Sequence, residues 1–327
     1  MKRFVFTCGD INGIGPEVVI KTLNKIYKRK DSAFTFICPR NVFELYSKIT
    51  PPKFDFYYSY DINALKNKSV NIFDLGNVKI TLAKPTKSSG RISFSAIALA
   101  ANACLSNKFS AMITAPISKE SFNKAGINYP GHTELLAEIT KQKNFVMMFL
   151  SQKMKAALLT IHIPLSKVPS VITKELLSSK LETIVKSLKE DFNISNPKIA
   201  ILGLNPHAGE NGILGKEEVN IITPFIKSSA LKKNLFGPFP ADAFFANHNY
   251  KNYDLVFAMY HDQALIPFKM LNFNDGVNYT AGLPIIRTSP DHGTAFNIAG
   301  KNIASENSML QAFNYANRIS INRLYND

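Results

Sequence analysis

"YDLVFAMYHDQALIPFK", residues 253–269, reads as a buried strand that runs straight into a histidine and an acid. Its first part, Leu255–Tyr260, is apolar without alternation, which suits a strand covered on both faces. His261 and Asp262 follow at its carboxyl end. The same pattern recurs along the chain. "RFVFTC", "AFTFIC", "SAMITAP", "FVMMFLS", "KAALLTIHI" and "KIAILGLN" read as further strands. Between them lie helical patterns: "PEVVIKTLNKIYKR", with Pro16 where a helix start tolerates it, then "ISFSAIALAANACLSN", "SKLETIVKSLKEDF", "EEVNIITPFIKSSALKK" and "NSMLQAFNYANRISINRL". Alternating β and α segments with nearly continuous apolar strands predict an α/β fold with mostly parallel sheets.

The chain has 327 residues, enough for two domains, and no internal repeat or low-complexity linker marks a boundary. Lys and Arg number 39 against 24 Asp and Glu, a formal charge of +15. The lysines spread along helices such as "KTLNKIYKRK" with no basic–aromatic block, which reads as a solvated surface and argues against a nucleic-acid partner. An attraction for phosphorylated small molecules is a second use of that charge. The three cysteines have no metal spacing, and an odd count argues against a disulfide framework. Cys8 and Cys38 end apolar runs and read as small buried residues. "MKRFVFTCGD" reaches Gly-Asp too soon for a signal peptide, and no stretch has the length of a membrane span. The expectation is a cytoplasmic protein with no membrane partner.

Three of the six histidines fall in one kind of place. "KAALLTIHIPL" puts His162 at the end of a strand, "KIAILGLNPHAGE" puts His207 just past another, and "YDLVFAMYHDQ" puts His261 at a third. Ligands of open parallel sheets bind at the carboxyl ends of strands, and converging imidazoles hold divalent metals. Asp262, and Asp242 in "GPFPADAFF", could orient a ligand or move a substrate proton. His248, in the polar "ANHNYKNYD", reads as a loop histidine. In "YPGHTELLAE" a Pro-Gly turn leads to His132 and Thr133 at a helix start, with Thr133 placed to cap it and free N–H groups suited to an anion. Arg287 and Lys269 are further cations for phosphate or carboxylate, and Asn278 stands between them. The stretch from His292 to Gly300 suits a loop that lets a ligand approach the backbone. "GDINGIGPE" is neither G-x-G-x-x-G nor a Walker motif, so a dinucleotide would not be bound in the Rossmann manner.

"GDINGIGPE", "TAPISKE", "PGHTE", "TIHIPL", "LNPHAGE", "EE", "GPFPAD", "AMYHDQALIPFK" and "VNYTAGLPIIRTSPDHGTAFNIAGK" stand in one order from end to end. In this the chain resembles the 4-hydroxythreonine-4-phosphate dehydrogenase family of pyridoxal phosphate biosynthesis. The resemblance implies two α/β/α domains of the isocitrate/isopropylmalate dehydrogenase-like fold, with the active site in the interdomain cleft. On that fold, residues 1–130 with 280–327 would form the domain carrying the cofactor motifs, and 131–279 the domain carrying the metal histidines. It implies a homodimer with shared active sites and one divalent metal (zinc, cobalt, magnesium or manganese) on His162, His207 and His261. It implies substrate binding by His132, Thr133, Lys269, Asn278 and Arg287, and NAD or NADP along His292, Gly293, Thr294, Ala295 and Asn297. The implied reaction is oxidation of 4-phosphohydroxy-L-threonine at C3, followed by decarboxylation, with Asp242 as candidate base. A paralogous dehydrogenase of 4-phosphorylated threonate or erythronate is the closest alternative. Two positions depart from the family pattern: Ile11-Asn12, where Pro-Ala is usual, and Asn297, where an Asp is usual.

Overall fold

The computed structural model of the chain describes residues 1–64, 66 and 69–326. In chain order the strands are β1 (Lys2–Thr7), β2 (Ser32–Ile37), β3 (Asp55–Ser59), β4 (Ser69–Phe73), β5 (Ala111–Thr114), β6 (Val146–Leu150), β7 (Lys155–Leu158), β8 (Ile199–Leu202), β9 (Leu235–Phe239), β10 (Leu255–Ala258), β11 (Val277–Ala281) and β12 (Arg287–Pro290). The chain divides into two compact units, Met1–Lys143 with Leu283–Ser320, and Asn144–Gly282 with Ile321–Asp327.

The first unit has strand order β3-β4-β2-β1-β5-β12, and its described pairings are parallel. β1 lies between β2 and β5, and one of its faces packs on an aromatic cluster. Phe4 meets Phe313 edge-on at 5.1 Å between ring centroids, and Phe34 packs on Phe313 at 5.7 Å. Phe313 belongs to the helix Asn307–Asn326, whose buried Met309, Ala312, Phe313, Ala316 and Ile319 follow the helical period. The strand order doubles back between β1 and β5. The loops after those two strands stay in contact, with Asp10 N donating to the Pro116 carbonyl at 2.8 Å. "GDINGIGPE" is the loop after β1.

The second unit has order β11-β6-β7-β10-β8-β9. β6 runs antiparallel to both its neighbours, and the remaining described pairings are parallel. Val256 of β10 pairs with Ala156 of β7 and Ala200 of β8. These small side chains leave room for Ala264, Leu265 and Phe268 of the helix His261–Leu271, which belong to the same buried cluster.

Mostly parallel sheets in a mixed α/β chain are what the sequence predicts. Its element ends need correction. β10 stops at Ala258 rather than Tyr260, because the next helix starts at His261 itself. β7 stops at Leu158, well short of His162. "EEVNIITPFIKSSALKK" is not one long helix: a π-turn over Glu218–Ile222 leads into Thr223–Ser228 and ends there. Pro224 lacks an N–H and is tolerated only in a first helical turn, so a new α-helix begins at Thr223. Cys8, Cys38 and Cys104 are all buried free thiols, the first two as expected.

Candidate active site

β7, β10 and β8 are neighbours, and each leads into a histidine. His162 lies four residues past Leu158, His261 three past Ala258 and His207 five past Leu202. Buried polar bonds tie these strand ends together. Thr160 Oγ1 donates to the Met259 carbonyl at 2.7 Å. Gln263 accepts from Met259 N at 2.8 Å and donates through Nε2 to the Gly203 carbonyl at 2.6 Å. His261 Nδ1 meets Asp262 Oδ1 at 2.7 Å. An ionised carboxylate only accepts, so the ring nitrogen facing it donates and the lone pair of Nε2 is left for a ligand. His162 and His261 line one cavity of about 220 Å³, together with Thr160, Tyr260 and Asp262 and apolar groups from Ile161 to Val168.

His207 is not among the residues lining that cavity. It sits on the turn Pro206–Gly212, where His207, Ala208, Gly209, Glu210 and Asn211 all have left-handed backbone, with φ of 52°, 51°, 80°, 42° and 55°. Glu218 holds this turn. It is buried, and its carboxylate accepts from Asn205 N at 2.8 Å and from Asn205 Nδ2 at 2.9 Å. A Cβ at Gly209 would come within 2.6 Å of Glu218 Oε2, so the close approach requires glycine there. Glu218→Ala leaves the Asn205 N–H without its acceptor, while Asn205 Nδ2 keeps Glu217 Oε2 at 2.8 Å, an expected loss of about 1–3 kcal/mol. Hydrogen exchange over residues 205–212 should rise sharply in that variant; unchanged protection would contradict the assignment.

All three histidines are exposed, and among the described residues no group of three or more His, Cys, Asp or Glu is placed to hold a metal ion. The structure thus joins His162 and His261 and leaves His207 on its own turn. Two imidazoles on one cavity, one of them oriented by a carboxylate, are a donor set that fits a nitrogen-liganded divalent ion.

The first unit carries a buried Arg–His pair. Arg287 at the start of β12 is only 2% exposed, and its Nε donates to Thr114 Oγ1 at 3.0 Å. Burial pushes its guanidinium down to about 9, and Glu134 pulls it back up. It therefore stays charged at neutral pH. His132 opens the helix His132–Ile139, and its Nε2 is sealed from solvent without a hydrogen-bond partner. Burial, and then the Arg287 charge, hold the His132 imidazole well below the usual histidine range, so it is neutral. Thr133 is not the cap the sequence suggested. Gly131, in extended backbone, takes the cap position and supplies no side-chain bond, which places Thr133 inside the first turn and buries it. A buried cation beside an uncapped helix start and a sealed imidazole nitrogen suits a phosphate group.

Because the folded-state value of His132 is depressed, its contribution to stability is present above the unfolded value near 6.5 and is lost as pH falls below it. The thermal midpoint should therefore drop between about pH 7 and pH 5, and His132→Asn should flatten that slope.

The remaining expected residues are dispersed. Lys269 is exposed near the end of its helix, and Asn278 is half-buried on β11. Asp242 is exposed in the first turn of the helix Ala241–Ala246 and does not line the His162–His261 cavity. The loop of His292, Gly293, Thr294, Ala295 and Asn297 packs on "GDINGIGPE": Ile14 N donates to Thr294 O at 3.0 Å, and a Cβ at Gly13 would lie 2.6 Å from that oxygen. Ala295 is left-handed at φ 42°, while Gly293 and Asn297 are exposed. The open backbone around Gly293, where a Cβ would meet nothing within 4 Å, fits the close approach of a nucleotide.

Two buried polar residues of the loop after β1 were not singled out from sequence. Asn12, noted only as a departure from a family pattern, is buried and braces the segment 81–86. Its Oδ1 accepts from Thr81 N at 2.8 Å, and its Nδ2 donates to Lys84 O at 2.9 Å and Thr86 Oγ1 at 3.2 Å. Asp10 is buried, accepting from Ser121 Oγ at 2.5 Å and Ser89 Oγ at 3.0 Å, and burial pushes its carboxyl up. Its two serine partners lie far away in sequence, so no spacing could signal them.

Residues 30–316 match the model of the family described as pyridoxal phosphate biosynthetic protein PdxA. A 4-hydroxythreonine-4-phosphate dehydrogenase of Sulfurihydrogenibium sp. is 42% identical to the chain, over 97% of it and 98% of the relative. A crystal structure of the 4-hydroxythreonine-4-phosphate dehydrogenase of Klebsiella pneumoniae superposes with TM-score 0.84 at 34% identity, covering 98% of this chain and all of that one. An isocitrate dehydrogenase of Methylococcus capsulatus shares the fold, with TM-score 0.52 at 12% identity over 96% of this chain and 84% of its own.

Proposed function

Because the chain belongs to the PdxA family of pyridoxal phosphate biosynthetic proteins and is an oxidoreductase, we propose that it oxidises 4-phosphohydroxy-L-threonine at C3 with NAD or NADP. The product, 2-amino-3-oxo-4-phosphooxybutanoate, is a β-keto acid that loses carbon dioxide to give 3-amino-2-oxopropyl phosphate. The observation that carries this reading is the buried Arg287 beside the sealed Nε2 of His132. A phosphorylated substrate supplies the charge and the acceptor oxygens that such a receptor needs.

In this reading Arg287, His132 and the first-turn amides around Thr133 grip the phosphate, with Lys269 as a second cation and Asn278 as a polar contact. Anchoring the non-reacting end spends binding energy on orienting C3. His162 and His261, joined by His207, would hold a divalent ion, and Asp262 keeps the His261 ring turned so that Nε2 faces outward. Bound there, the ion supplies Lewis-acid polarisation of the C3 oxygen, and the nicotinamide supplies the hydride acceptor. Asp242 would take the hydroxyl proton; an exposed carboxylate can pass that proton on to water. His292, Gly293, Thr294, Ala295 and Asn297 would line the nucleotide. A second copy of the chain would complete the enzyme as a homodimer, and Ile266, Met270 and Phe273, at 59%, 81% and 88% exposure, are apolar groups for it to cover.

Reduced-nicotinamide absorbance tests this with purified protein, 4-phosphohydroxy-L-threonine and each nicotinamide in turn. The expected signal disappears with chelator and returns with divalent metal. Turnover of 4-phospho-threonate but not of the amino substrate would replace the reading with the paralogous one.

A further inference from the structure

The loop that starts at His292 is held at two separate points by one helix, Gly15–Ile26, and the residue before it. Ile14 N donates to Thr294 O at 3.0 Å, which fixes the near end of the loop. The helix itself grips the far end. Glu17 Oε1 accepts from Ala304 N at 2.9 Å. Lys21 Nζ donates to Ala304 O at 2.8 Å, to Asn302 O at 3.1 Å and to Glu17 Oε1 at 2.8 Å. Glu17 and Lys21 are one helical turn apart, so both reach the same stretch of backbone. Thr50 Oγ1 adds a bond to Asn302 Oδ1 at 2.8 Å. Left-handed backbone at Gly300, with φ of 76°, and at Asn302, with φ of 59°, bends the loop back toward the helix.

Helix formation does not call for this pair. An acid in the first turn suits the helix macrodipole, but an exposed one serves as well. Glu17 is instead fully buried, and its Oε2 is sealed from solvent without a hydrogen-bond partner. A buried ion pair contributes little net stability compared with apolar side chains of the same volume. What apolar side chains cannot do is bond an N–H and two carbonyls of a loop. That loop has only short turns of its own: Ile298 N donates to Ala295 O, Ala299 N to Phe296 O and Lys301 N to Ile298 O. Beyond Lys301 the backbone is tied to the helix. Lys25 continues the row one turn on, meeting Glu306 at 2.6 Å.

Resting on the reading of this loop as the nucleotide site, we infer that Glu17 and Lys21 are positioning residues: they clamp the far end of the loop and so set the affinity for the nicotinamide nucleotide. A loop ordered before binding does not have to be ordered by the ligand. Losing the two bonds from Lys21 to the loop carbonyls weakens nucleotide binding by about 5- to 100-fold.

The test compares the full-length wild type with the double variant Glu17→Gln/Lys21→Met. The glutamine keeps an acceptor for Ala304 N, and neither substitution leaves a charge buried alone, so the thermal midpoint should stay near the wild-type value. The readouts are the Kd of NADH and of NADPH by fluorescence, the Kd of inorganic phosphate, and hydrogen exchange over residues 295–304 without nucleotide. The variant should bind the nucleotide that the wild type prefers about 5- to 100-fold more weakly. Exchange over the loop should rise, and phosphate binding should not change. Where the double variant does not fold, Lys21→Gln decides: its amide keeps a donor beside Glu17 but is one bond too short to span both carbonyls. Unchanged nucleotide affinity in a variant whose loop exchanges faster overturns this inference alone, and so does unchanged exchange. Equal weakening of nucleotide and phosphate binding overturns it too, since it marks general loosening. A wild type that binds neither NADH nor NADPH overturns the nucleotide reading and this inference with it.

Discussion

Arg287→Gln is expected to lower kcat/KM for the phosphorylated substrate by roughly 30- to 4000-fold, the equivalent of about 2–5 kcal/mol for losing a buried charge partner. The loss should appear mainly in KM, because the phosphate is bound alike in the ground state and the transition state. The reason lies in the burial. The guanidinium is 2% exposed and donates through Nε to Thr114, so its position is set before any ligand arrives. Burial lowers it to about 9, a cost the fold carries for keeping a cation there, and an arriving dianion repays it. Inorganic phosphate should raise the thermal midpoint of the wild type and leave that of Arg287→Gln unmoved. Phosphate protection that survives the substitution would remove Arg287 from the receptor. Arg287→Lys should recover little, since a point charge on a flexible stem cannot reproduce the planar fork.

The sequence made the sheets and the histidine positions legible for one physical reason. Strands buried on both faces leave apolar runs, and the chemistry at their ends then stands out against them. "YDLVFAMYHDQ" and "KIAILGLNPHAGE" are of that kind, and β10 and β8 lie where they predict. Elements made of mixed residues were not singled out. "DFYYS" forms β3 at the edge of its sheet, half-exposed, and "LFGPF" forms β9 around a glycine at φ 128°. Neither has the run or the alternation that marks a strand. The same limit governs the candidate site. A histidine announces itself, but what holds it in place does not. Gln263, Asn205 and Glu218 are ordinary polar residues whose meaning comes from carbonyls and N–H groups that the sequence does not bring near them. The Thr133 cap failed for a related reason. Gly131 offers no side chain to read, yet its extended backbone takes the cap position.

Asp191→Ala should be the most destabilising single substitution in the second unit, by about 3–5 kcal/mol. Asp191 ends the helix Lys174–Glu190 and is 2% exposed. Ser187 Oγ donates to its carboxylate at 2.5 Å, Tyr279 OH at 2.5 Å and Arg323 Nε at 2.7 Å. Asn322 Nδ2 donates to its backbone carbonyl at 2.6 Å. One carboxylate thus ties a helix end, strand β11 and the last turns of the chain. Its removal leaves the buried Tyr279 hydroxyl and the Arg323 charge facing a gap. That energy corresponds to a fall in thermal midpoint of roughly 6–20 °C for a unit of this size. Asp191→Asn keeps the shape and one acceptor oxygen, and should cost about 1–3 kcal/mol. A midpoint within about 2 °C of wild type for Asp191→Ala would show that the network is ornamental. The alkaline limb gives an independent reading. Burial, and then the Asp191 charge, push the Tyr279 hydroxyl up, so its contribution is whole below the unfolded value near 10 and is lost as pH rises beyond it. With the carboxylate gone, one of the two causes of that shift disappears. The pH at which Tyr279 ionises should then move down toward the ordinary tyrosine range, which ultraviolet titration of the folded Asp191→Asn variant can follow. A tyrosine titration unchanged between wild type and variant would mean that burial alone holds the proton, and that Asp191 secures the chain end through Arg323 and Asn322 rather than through Tyr279.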